Sequence, residues 1–196
     1  PHTGMLIMDV FEKAGLPAGV ANLVTGPGAT AGAPLSSHQD VDMVSFTGGL
    51  VTGRKIAASA AQTVKKVALE LGGKNPNVVF ADADFDAAVD NALNAGFLDS
   101  GLVCSAGTRL IVEESIKERF VDELVRRAEK IRMGGPFDEN AETGPLISTE
   151  HREKVYNYTQ KGIEEGAVLR TGHHFGGAEH KDGCFYAPTV LDEVRR

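Results

Sequence analysis

The sequence predicts an α/β protein made of two pieces, each a fragment of parallel sheet with helices packed on it. Three observations lead there. Short apolar runs alternate with stretches of helical periodicity along the chain. The connections between them are short, as in β-α-β units with right-handed crossovers. The pattern also breaks at Gly72-Gly73-Lys74-Asn75-Pro76 and then restarts. Residues 1–73 read as part of one domain and residues 74–196 as part of a second.

Each element has its own reason. Residues 4–14 set Leu6, Val10 and Ala14 on one helical face, and Gly15 with Pro17 ends the helix. VANLV (20–24) reads as a short buried strand, and TGPGATAG (25–32) as a glycine-rich turn opening a weaker helix that Pro34 shortens. VDMVSF (41–46) is a strand, a helix follows over about 52–61, and VKKVALEL (64–71) is the next strand. Beyond the glycines, NVVF (77–80) is a strand and Asp84 to about Ala95 a helix striped by Phe85, Val89, Ala92 and Leu93. RLIV (109–112) is a strand. Ser115–Ile131 forms the longest amphipathic helix, through Ile116, Phe120, Leu124 and Ala128. Ser148–Glu165 is a further helix, and AVLRTG (167–172) and CFYAPTV (184–190) are strands around a polar loop.

Composition narrows the function classes. The chain has 196 residues, 42% of them apolar and 24% charged, the balance of a globular protein able to bury a core. Its 20 basic and 27 acidic residues leave a net charge of -7, which argues against a nucleic-acid or anionic-membrane binder. No Trp is present to build a stacking platform. No apolar run reaches the roughly 20 residues that span a bilayer, and no signal peptide opens the chain. Two distant cysteines make no disulfide framework, so a reducing compartment, the cytoplasm, is expected. The first residue is Pro, and the chain stops soon after a strand-like stretch, which reads as a piece of a longer protein.

Three places could carry chemistry. In FTGGLVTG (46–53) a strand ends in glycines and a helix begins. Glycine admits a ligand close to the backbone, and free N–H groups at the helix start suit a phosphate; a plain tight turn has the same pattern. Cys104, in SGLVCSAGTRL (100–110), sits among small residues ahead of a strand. Nearby backbone N–H groups would favour a thiolate and an oxyanion, while a buried structural cysteine is the other reading. Glu70, in LELGGKNP (69–76), lies in an apolar strand; it is either a core-facing general base or an exposed residue of an edge strand. Two patterns are decoys. DADFD (82–86) lacks the Gly and Glu of a calcium loop and reads as a helix cap. His173, His174 and His180 in GHHFGGAEH read as solvated, and Cys184 as a strand residue, so no metal site is expected.

VSFTGG (44–49), LELGGKNPNVVFADADFD (69–86), VCSAGTRLIV (103–112), TGPLIS (143–148) and FYAPTV (185–190) occur in an order that resembles the aldehyde dehydrogenase superfamily. The resemblance covers essentially the whole chain. FTGG and VCSAGTRL look most similar to the branch that oxidises betaine aldehyde. The resemblance implies a Rossmann-like cofactor domain joined to an α/β catalytic domain, both incomplete, and NAD(P)-dependent oxidation of an aldehyde to an acid, with NAD favoured over NADP. It implies Cys104 as the nucleophile and Glu70 as the base that activates the hydrolytic water. Phe46, Thr47, Gly48, Gly49, Gly53, Leu71 and Gly72 would lie by the cofactor. The partner would be a small aldehyde, and the parent protein a homodimer or homotetramer. Other aldehyde or semialdehyde dehydrogenases are the alternative; an inactive relative would lack the Cys or the Glu, and a cysteine hydrolase would want a His beside Cys104. Leu102 stands where the family usually has Gln, and Val51 where it often has Glu. The family's catalytic Asn and its ribose-holding Lys would lie before residue 1, and its E-x-F-G-P segment after residue 196. The resemblance therefore implies that the chain is inactive alone.

Overall fold

The computed structural model describes residues 2–177 and 180–195. Contacts divide the chain into two compact units, Pro1–Gly72 and Gly73–Arg196, each carrying its own parallel strand pair.

In the first unit, α1 (His2–Lys13) is followed by a π-helical turn at Gly28–Gly32, which runs into α2 (Ala33–Ser37). Then come β1 (Met43–Gly48), α3 (Leu50–Ala60) and β2 (Lys66–Leu71). β1 and β2 pair in parallel from Met43–Lys66 to Gly48–Leu71, and α3 is the crossover between them. Gly53, Ile56 and Ala60 form the buried stripe of α3. A Cβ at Gly53 would lie 2.7 Å from Leu71 Cδ2, so the missing side chain lets this helix lie close to the end of β2. Lys65 Nζ donates to the carbonyls of Ser36 (3.1 Å) and His38 (2.6 Å), closing the end of α2 onto the lead-in of β2. The stretch 20–24 is not the expected strand. Among the described residues no strand lies alongside it to supply ladder bonds; instead Val20 donates its N–H to the Pro17 carbonyl, Asn22 caps the Gly19 carbonyl, and Val20 and Val24 stay exposed.

The second unit opens with β3 (Pro76–Val79), α4 (Phe85–Phe97) and β4 (Arg109–Val112). β3 and β4 pair in parallel from Pro76–Arg109 to Val79–Val112. A 3-10 turn at Glu114–Ile116 leads into α5 (Lys117–Ala128); α6 (Thr149–Glu164), β5 (Val168–Thr171) and β6 (Val190–Asp192) follow. Val79, Val89, Ala92, Phe120 and Leu124 form the core where α4 and α5 meet β3. The Phe120 ring is fully buried, edge-on to Phe85 at 5.7 Å. Side-chain caps define two helix starts: Asp84 accepts from Ala87 N–H at α4 and Ser148 from His151 N–H at α6. The expected strand 184–190 shrinks to its last residue, Val190, which joins the antiparallel β5–β6 pair. Upstream, the Cys184 carbonyl accepts from Leu146 and the Ala187 N–H goes to His174, while Pro188 has no N–H to offer a ladder.

Arg127 ties α5 to α4. It bonds Glu123 on its own helix at 2.6 Å and Asp90 on α4 at 2.5 Å, and it also pairs with Asp86. Hydrogen bonds from Arg126 and Arg127 pull the Glu123 carboxyl down to about 2 from its ordinary 4.5. Because the folded value is the lower one, this pairing contributes fully above about pH 4.5 and is lost as pH falls from there toward 2. Glu123→Gln should therefore flatten the acid limb of the stability-against-pH curve between those values, as followed by urea midpoints. Phe120→Ala should cost about 3–5 kcal/mol in urea unfolding at neutral pH, since it empties the centre of the second unit's core.

Candidate active site

In the first unit the candidate residues gather at one end of the β1–β2 pair. Phe46, Thr47 and Gly48 end β1, and Gly49 is the N-cap of α3 in extended backbone. A Cβ at Gly48 would stand 2.5 Å from the Phe46 ring, so glycine lets that ring fold back over the strand. Open space lies where a Gly49 Cβ would point. Among the described residues no side chain caps the start of α3, and its first turn holds no acidic residue. The leading N–H groups of that helix thus face outward with their positive end uncompensated, which suits an anion. Across the ladder Thr47 opposes Glu70 and Gly48 opposes Leu71. Glu70 is exposed, as are Thr47 and Gly72, so its carboxylate is open to water.

In the second unit Cys104 is a free, exposed thiol, not a buried structural one. It sits in a turn closed by Ala106 N–H donating to the Val103 carbonyl at 3.0 Å. Asn75 holds this turn from below. Its Nδ2 donates to the Cys104 carbonyl at 3.0 Å and reaches the Ala106 carbonyl at 3.5 Å. Its own carbonyl accepts from Arg109 N–H, and Arg109 Nε donates to the Lys74 carbonyl at 2.7 Å. Residues 74–75 and 104–109 are thereby stitched together at the entry of β3 and β4. Sequence reading took Asn75 only as part of a hinge; an amide beside two glycines and a proline was the available sign, and its bonds run to carbonyls that no pattern reveals.

The chain reaches Cys104 through an unusual turn. After α4 ends at Phe97, Asp99 (φ 51°, ψ 45°) and Ser100 (φ 55°, ψ 27°) both adopt left-handed backbone, and Gly101 (φ 72°) continues it. Left-handed backbone costs a non-glycine residue roughly 1–2 kcal/mol. The Leu102 N–H closes the turn onto the Asp99 carbonyl at 3.0 Å. Ser100 Oγ lies 2.8 Å from the Gly144 carbonyl and 2.9 Å from Thr143 Oγ1, which brings the TGPLIS segment against the turn. Sequence reading missed this support as well.

His173 and His180, read as solvated, are instead half-buried and bonded within the fold. Asp84 caps α4. His173 bonds Tyr186 Oη and Gln160 Oε1, His174 accepts from Gly176 N–H, and His180 bonds the Met133 carbonyl. Ala178 and Glu179, inside that histidine loop, lie outside the described residues. Among the described residues no group of three His, Cys, Asp or Glu is arranged to hold a metal ion. Cys184 is a half-buried free thiol 3.7 Å from Thr149 Oγ1.

The chain is similar to known proteins in sequence and fold. The family model of the aldehyde dehydrogenases matches residues 1–196. The betaine aldehyde dehydrogenase of Bacillus subtilis is 55% identical over 192 residues, covering 97% of this chain and 39% of that protein. A crystal structure of the Staphylococcus aureus betaine aldehyde dehydrogenase in complex with NAD+ superimposes with a TM-score of 0.94 at 46% identity, over 98% of this chain and 39% of that one. The P449M variant of the same Staphylococcus enzyme, also in complex with NAD+, gives a TM-score of 0.94 at 46% identity. The chain thus spans about two-fifths of the length of the relatives it matches.

The Asn75 tie has a measurable sign. Asn75→Ala should lower the unfolding free energy by about 1 kcal/mol, the net worth of an ordinary hydrogen bond. Asn75→Asp should cost more at neutral pH, because a carboxylate would confront two carbonyl oxygens with no proton to give. Urea titrations of the three proteins check the order.

Proposed function

The chain belongs to the aldehyde dehydrogenase family, and from that premise we propose that it carries the nucleophile, the general base and the pyrophosphate-binding turn of an NAD-dependent oxidation of betaine aldehyde to glycine betaine. The observation that carries the reading is the free, exposed thiol of Cys104 on a turn tied down by Asn75. The identity to betaine aldehyde dehydrogenases supports the substrate, and the NAD+ complexes of the solved relatives support NAD over NADP. Two free thiols support a reducing compartment, the cytoplasm. The family resemblance supports a homodimer or homotetramer.

The Cys104 thiolate adds to the aldehyde carbon. A C–S bond forms, and the carbonyl π pair moves onto oxygen as an oxyanion that the Cys104 backbone N–H helps to hold. The uncapped start of α3, with open space at Gly49, fits a pyrophosphate, and Phe46, Thr47, Gly48, Gly53, Leu71 and Gly72 would form the surface beside it. With NAD bound, the adduct's C–H bond would break as hydride to the nicotinamide while the oxyanion pair re-forms the C=O bond, leaving a thioester on Cys104. Glu70 then takes a proton from water, whose oxygen attacks the thioester carbon. The C–S bond breaks, the acid leaves and the Cys104 thiolate returns.

A graft tests this: the Bacillus relative with its matched segment replaced by these 196 residues. It should reduce NAD when given betaine aldehyde. Cys104→Ala should abolish turnover. Glu70→Gln should slow it roughly 10²- to 10⁴-fold, with acylated Cys104 accumulating in the mass spectrum. Turnover that survives Cys104→Ala would sink the reading.

A further inference from the structure

We propose that Ser100 is a positioning residue for Cys104, its hydroxyl locking the left-handed turn that delivers the chain to the nucleophile. The inference rests on the reading of Cys104 as the nucleophile.

The direction of the bonds is set by chemistry. The Gly144 carbonyl can only accept, so the Ser100 O–H donates to it at 2.8 Å. That leaves the Ser100 oxygen to accept from the Thr143 hydroxyl at 2.9 Å. The anchor is itself held firmly. Thr143 is buried, its N–H donates to the Arg132 carbonyl, and its carbonyl accepts from Gly134 N–H. Among the described residues, Ser100 supplies the only side-chain hydrogen bonds made by residues 98–102.

The turn needs such a hold. Asp99 and Ser100 are L-residues in backbone that favours glycine, and they would relax toward right-handed geometry if released. Leu98 (φ -54°, ψ 136°) has already left α4, so relaxation at Asp99 and Ser100 would change the direction in which residues 101–104 run. In the observed turn the chain reverses. Gly101 passes so close to α4 that a Cβ there would lie 3.0 Å from the Gly96 carbonyl, and Leu102 closes back onto Asp99. Cys104 then falls where Asn75 catches its carbonyl. Ser100 fixes the approach to the thiol and Asn75 its exit.

The test compares Ser100→Ala with Ser100→Gly in the 196-residue chain, by hydrogen–deuterium exchange read on peptides spanning 98–106 and on peptides from α5. Both variants lose the hydroxyl, but glycine is at ease in left-handed backbone. Exchange across 98–106 should rise about tenfold in Ser100→Ala and less in Ser100→Gly, with α5 unchanged in both. In the graft described above, Ser100→Ala should lower kcat roughly 10- to 100-fold with little change in KM, the mark of a misplaced reacting group. The proposal is overturned if exchange across 98–106 is unchanged, if it rises equally in α5, or if the glycine variant is the looser of the two. Turnover that survives Cys104→Ala overturns the nucleophile reading instead, and the exchange data, which need no turnover, tell the two failures apart.

Discussion

In a parallel pair, both strands enter at one edge of the sheet and leave at the other, and every candidate residue takes its place from that rule. In the first unit the exits of β1 and β2 coincide, so Gly48 ends beside Leu71 and Thr47 beside Glu70. The helix that must cross between such strands starts directly at the exit of β1, which is why its open N–H groups arise beside the glutamate's strand. In the second unit the entries of β3 and β4 coincide at Pro76 and Arg109. The residue just before each entry is therefore a neighbour of the other, and Asn75 can reach the loop that carries Cys104. An antiparallel pairing would have sent these ends to opposite edges.

The core of the second unit makes that entry edge rigid. Phe120 and Val89 are fully enclosed, and they press α5 and α4 onto β3. Arg127 adds a charged tie across the same two helices, to Asp86 and Asp90. Both ends of the Cys104 segment leave from this block: α4 on one side and β4 on the other. The segment between them is short and glycine-rich, so its conformation is set by what it is tied to and little by its own packing.

Legibility in the sequence followed the range of the interaction. Helices α4, α5 and α6 could be read to within a few residues because their apolar periods and caps are local, as Asp84 and Ser148 show. RLIV was read as β4 to the residue, an apolar β-branched run with a partner. VANLV and CFYAPTV are also largely apolar but did not share the outcome, since a strand exists only where another strand meets its N–H and C=O groups, and these were met by turns and loops. The thiol and the carboxylate stood out by chemical type, yet their exposure did not; an apolar strand conceals which face Glu70 takes. Asn75 and Ser100 were invisible as functional residues because each acts on the main-chain carbonyl of a remote segment, and carbonyls leave no trace in side-chain patterns.

As a proposed nucleophile on an exposed turn, the Cys104 thiol faces two opposed demands. It must be open enough for a substrate to reach it, which forgoes the packing that immobilises a core residue. It must also be held closely, because a group displaced by about 1 Å loses much of its effectiveness. Hydrogen bonds to the backbone on either side meet both demands, since they fix the main chain without covering the sulfur. Asn75 grips the carbonyl of the cysteine itself. On the approach, the left-handed turn at Asp99–Gly101 bends the chain sharply within few residues, and its strain makes it the part most ready to unwind. A side-chain bond at its centre, to a buried threonine fixed at both its N–H and its carbonyl, is where one hydroxyl resists that unwinding with the greatest leverage on the cysteine four residues on.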